Sequence, residues 1–60
     1  MKQWYSVELE QHEADHLRLL LRRLGVVHET SACFGLVHFE MLEEEGSPEY
    51  AEIDRFLATL

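Results

Sequence analysis

The sequence holds one cysteine, Cys33, so no internal disulfide can form and nothing points to an oxidising compartment. Basic residues are scarce: five Lys and Arg stand against twelve Asp and Glu, a formal net charge of -7. A free-standing nucleic-acid binder carries the opposite balance, because phosphate neutralisation supplies most of its affinity. Long apolar runs are missing too. The longest are stretches such as LLL and CFGLV, so neither a transmembrane segment nor a signal peptide is expected, and the cytoplasm is the expected location. There is no CxxC pair, no glycine-rich phosphate loop, no Ser-His-Asp spacing, no linker and no internal repeat.

What is present is a chain of 60 residues, 47% hydrophobic, which is too apolar for a disordered acidic tail. Ordinary domains run to ~100–200 residues, so residues 1–60 make a single domain. A domain this small buries only ~60% of the surface its unfolded chain exposes. With no disulfide available, oligomerisation or a bound partner becomes the expected source of further burial.

Hydrophobic period divides the chain. QWYSVELE alternates, with Tyr5, Val7 and Leu9 on one face and Trp4, Ser6 and Glu8 on the other, which predicts a half-buried strand. Residues 11 to 24 switch to helical period, placing Ala14, Leu17, Leu20, Leu21 and Leu24 on one stripe. Gly25 stops this helix behind Arg22 and Arg23, whose charge suits a helix C-terminus. VVHETSACFGLVHFEML reads as two strands around a turn at Phe34–Gly35, with Val37, Phe39 and Met41 on one face. After EEEG, Ser47 fits an N-cap, Pro48 the first helical turn and Glu49 its positive end. Tyr50, Ile53, Phe56, Leu57 and Leu60 then form the apolar stripe of the last helix.

The order β-α-β-β-α predicts an α+β fold with two helices on one face of a three-stranded antiparallel sheet. Strand 1 should lie beside strand 3, a ferredoxin-like topology truncated before its final strand. Strand 1 would then keep an open edge.

Two polar clusters invite a chemical reading. HEADH at positions 12 to 16 matches H-E-x-x-H, in which two His one helical turn apart hold zinc while the Glu activates water. Here the motif His12, Glu13 and His16 opens the first helix, and His12 and His16 sit with Leu19 and Arg23 on the side opposite its leucine stripe, with charged Asp15 and Arg18 around the motif. No second domain exists to form a cleft. The expected role is a solvated helix start whose acids complement the dipole. The second cluster depends on the turn. A two-residue turn at Phe34–Gly35 sets Glu29 opposite Glu40 and Ser31 opposite His38. A three-residue turn that includes Cys33 instead gathers His28, His38 and Glu40, a two-His, one-carboxylate ligand set. An ordinary cross-strand pair on a wet sheet is the expected outcome. Cys33, between Ala32 and Phe34, lacks the cationic neighbours of a reactive thiol.

Trp4, Leu36 and Leu42 should share the helix-free face with His38 and Glu40, the composition of a protein interface. The resulting expectation is a non-catalytic interaction module without cofactor, in the form of a homodimer, that touches neither nucleic acid nor membrane directly. Its partner would be a protein with a basic surface. Glu40, Glu43, Glu44, Glu45, Glu49 and Glu52 could present carboxylates where a nucleic-acid-handling enzyme expects phosphates. Anti-CRISPR and anti-restriction inhibitors share this size and charge by analogy only. The alternative is a metal-binding protein or small zinc-dependent hydrolase using HEADH or the hairpin cluster.

Overall fold

The elements form where hydrophobic period places them. A computed structural model describes residues 1–60. It contains β1 (Gln3–Glu10), α1 (Gln11–Leu24), β2 (His28–Cys33), β3 (Leu36–Glu43) and α2 (Pro48–Ala58). The sheet is antiparallel with order β1-β3-β2, so β3 is central and β1 and β2 are the edges. This is the expected α+β architecture.

Local chemistry sets each boundary. Gly25 closes α1 in the left-handed region at φ 71°, donating its N–H to the Arg22 carbonyl, while Val26 donates to Leu21 at 3.0 Å. These two bonds satisfy carbonyls that the helix end would leave bare. Phe34 and Gly35 both have positive φ, 53° and 79°, as a two-residue type I′ turn requires. That turn pairs Cys33 with Leu36, Ser31 with His38 and Glu29 with Glu40. At α2 the Ser47 hydroxyl accepts the Tyr50 N–H at 3.1 Å, and Pro48 takes the first position.

Both helices cover the same face of the sheet. Ala14, Leu17 and Leu21 of α1 and Ile53 of α2 pack with Leu9, Val26, Val37, Phe39 and Met41 into one core. Val7, Leu20, Leu24, Phe56 and Leu57 border it, half-buried. Leu60 departs from the expected stripe: α2 ends at Ala58, and Leu60 is exposed beyond it. Coverage is uneven. On the helix side of β2, Thr30 and Ala32 stand opposite buried Phe39 and Val37 yet remain exposed. The helices shield β1 and β3 and leave β2 exposed on both faces from Glu29 to Cys33.

Candidate functional site

Side chains of paired residues in an antiparallel sheet lie on the same face, so the register assembles the helix-free surface row by row. Trp4 pairs with Leu42, and Leu42 donates its N–H to the Val27 carbonyl at 2.9 Å, giving an apolar row Trp4–Leu42–Val27. Ser6, Glu40 and Glu29 follow, then Glu8, His38 and Ser31, then Glu10, Leu36 and Cys33. Trp4 is 52% and Val27 58% exposed. At the far end Phe34 lies fully in solvent next to exposed Leu36. An acidic middle is therefore framed by apolar groups at both ends.

His38 sits at the centre of that middle. Its Nδ1 lies 3.7 Å from a Glu8 carboxylate oxygen, and its Nε2 lies 3.5 Å from one of Glu40. Both ring nitrogens thus face carboxylates. No Lys or Arg occurs in any of the three strands. Residues two apart on one strand, such as Glu8 and Glu10, have Cα atoms ~7 Å apart.

The structure distributes the sequence-predicted site residues as follows. Trp4, Leu36, His38, Glu40 and Leu42 do share the helix-free face. Glu44 and Glu45 lie in the connection after β3, and Glu49 and Glu52 on α2, with Glu52 ion-paired to Arg55 at 3.3 Å. Glu49 and Glu52 belong to the helix layer. Glu43 is set apart from the exposed acids, being only 5% exposed. It continues the alternation of Val37, Phe39 and Met41, so its side chain points to the helix side. Val27, Glu29 and Phe34 join the surface without having been singled out. Once the two-residue turn is chosen, alternation alone places Glu29 there.

Neither metal reading gathers its ligands. The two-residue turn pairs His28 with core residue Met41, which puts it on the face opposite His38 and Glu40. Its Nδ1–H donates instead to the Val26 carbonyl at 2.8 Å. In HEADH, His12 approaches Glu10 at 4.0 Å, and ligand atoms of Glu10, His12 and Glu13 lie within 4.8 Å of one another. His16 is not part of that group. His12 and His16 are both exposed, so no cleft encloses them.

Two ionisable groups beside α2 are shifted. Desolvation first, and then the nearby Asp54 charge, holds the Glu43 carboxyl above the ordinary carboxylate range. Desolvation also pushes the Tyr50 hydroxyl up, followed by Tyr5 and the carboxylates of Glu45, Asp54 and Glu43. No protein-family model, curated protein or solved structure matches this chain. No helix is long and apolar enough to cross a membrane.

Proposed function

We propose that this chain is a protein-interaction module whose helix-free sheet face binds a basic surface on another protein. One observation carries the reading: the face presents Glu8, Glu10, Glu29 and Glu40 from three strands that hold no Lys or Arg, between apolar groups at either end. Apolar anchors around exposed charge of one sign are the composition of a recognition surface, with the anchors supplying affinity and the charge supplying encounter rate and selectivity. The phosphate-binding groove of a nucleic-acid-handling enzyme has the complementary sign. An inhibitor that occupies such a groove is the specific form this reading takes.

The test compares wild-type chain with a Glu8→Gln, Glu10→Gln, Glu29→Gln, Glu40→Gln variant as bait in extracts of its native cells. Proteins retained at low salt should be released as salt rises, displaced by excess duplex DNA, and lost by the Gln variant. For an isolated partner, association should slow about tenfold or more in the Gln variant, while dissociation changes less. Retention of the same proteins by both baits, indifferent to DNA, would overturn the reading.

A further inference from the structure

The edge of β1 and the cavity beside it form a second binding feature, on the opposite side of the sheet. The Leu42 amide bonds Val27 on the β2 side. By antiparallel alternation, even-numbered residues of β3 then bond β2 and odd-numbered ones bond β1. Tyr5 and Val7 pair with Met41 and Phe39, so their backbone groups point inward. Trp4, Ser6 and Glu8 consequently aim their N–H and C=O groups out of the sheet, where no strand meets them.

Beside this edge, between β1 and α2, lies a cavity of about 140 Å³. One water needs only ~10–15 Å³ by the same measure, so there is room for a side-chain tip. Tyr5 and Tyr50 contribute rings whose centroids lie 5.4 Å apart at 63°, and Glu43 and Asp54 contribute carboxylates. Ser6 lines the cavity as well, although its side chain belongs to the opposite face, which sets the mouth at the unpaired backbone edge. Glu43 is 5% exposed and its Oε1 has no hydrogen-bond partner. None of the chain's ion pairs involves it. A buried carboxylate oxygen without a partner keeps its full desolvation penalty until a donor arrives. Aromatic rings lining the same cavity favour a donor that is also a cation.

We infer that β1 accepts an extended segment of a basic partner protein as a fourth strand, with a lysine or arginine of that segment seated in the cavity against Glu43 and Asp54. Strand addition supplies affinity through the main chain, and the cavity supplies selectivity for one side chain. A second copy of this chain fits less well as the occupant. Its own β1, QWYSVELE, would bring no cation for Glu43 and would add further carboxylates.

Proton linkage follows. Tyr5, Tyr50 and Asp54 line this cavity with Glu43 from β1 and α2, and Lys2, Glu44 and Glu49 line a separate pocket that Glu43 also borders. An arriving cation favours the ionised carboxylate, so binding releases a proton and affinity rises with pH through the Glu43 titration.

The experiment titrates the isotope-labelled full chain with a short alternating Thr/Val peptide carrying a central arginine, and with the same peptide carrying norleucine there. The arginine peptide should slow amide exchange at Trp4, Ser6 and Glu8. Affinity should fall about tenfold or more with norleucine or with Glu43→Gln, the loss expected for one charge-assisted contact. Asp54→Asn, at an exposed position, should weaken binding less and gives an independent check on the same cavity. Equal affinity for the two peptides, no binding at millimolar peptide, or shifts confined to Val27, Glu40 and Leu42 would overturn the inference. That last result would leave the helix-free face reading intact, whereas loss of protein capture with edge binding preserved would do the reverse.

Discussion

Phe34 holds a left-handed backbone angle, φ 53°, with its ring fully in solvent, so it carries a conformational cost and returns no burial. For a residue with a Cβ that conformation costs roughly 1–2 kcal/mol. Asn-Gly is the preferred pair for a type I′ turn, so Phe34→Asn should stabilise the chain by about 1 kcal/mol. Urea unfolding of the two proteins checks this, and weaker partner binding by the stabilised variant would assign the ring to the interface. Glu43 is the second costly residue. A carboxyl whose pKa is raised by folding contributes stability below its unfolded pKa and loses that contribution as pH rises through its folded pKa. Glu43→Gln should therefore be more stable than wild type at pH 7, by about 1 kcal/mol at most because an open cavity screens part of the penalty. The advantage should shrink towards zero as pH falls below the ordinary carboxylate range. Denaturation midpoints at neutral and acid pH measure it.

Elements were more legible in the sequence than their surfaces. Alternation in QWYSVELE and LVHFEML, and the leucine spacing of residues 17 to 24, identify faces because period alone decides which side is buried. Ser47 and Pro48 mark the start of α2 because their chemistry is local: one accepts an orphan N–H and the other lacks one. Ser47→Ala should accordingly cost about 1 kcal/mol, read as a lower melting temperature and faster amide exchange at Tyr50 and Ala51. The register of β2 was less accessible, since φ at Phe34 decides it and a bulky residue there argues against the turn that forms. The burial of Glu43 was hidden for a different reason. The run Glu43–Glu45 looks like solvated charge, but strand alternation persists through its first residue. Helix packing over β2 was not legible at all. Thr30 and Ala32 suit either a covered or a bare strand, and only the positions of α1 and α2 leave them exposed.

Across the whole molecule, positive charge is segregated by layer. Arg18, Arg22, Arg23 and Arg55 all lie on the helices among acids of their own, whereas the strands hold Glu but no Lys or Arg. Two kinds of association should then respond to salt in opposite directions. Binding to a basic protein should weaken as salt rises, while pairing of two copies through Trp4, Leu42 and Val27 should strengthen once their facing carboxylates are screened beyond ~8–10 Å. Sedimentation velocity at low and high salt should show a dimer that tightens with salt and is abolished by Trp4→Glu. The strand order has a further consequence, for the timing of folding. β2 and β3 are joined by two residues and can zip as soon as both exist, whereas pairing Gln3 with Glu43 closes a loop of most of the chain. β1 leaves the ribosome before β2 and β3, and the strand it must pair with is completed only at Glu43. During that interval both of its backbone edges are unpaired, and its uncharged first half, Gln3–Val7, is the segment most open to capture by another strand.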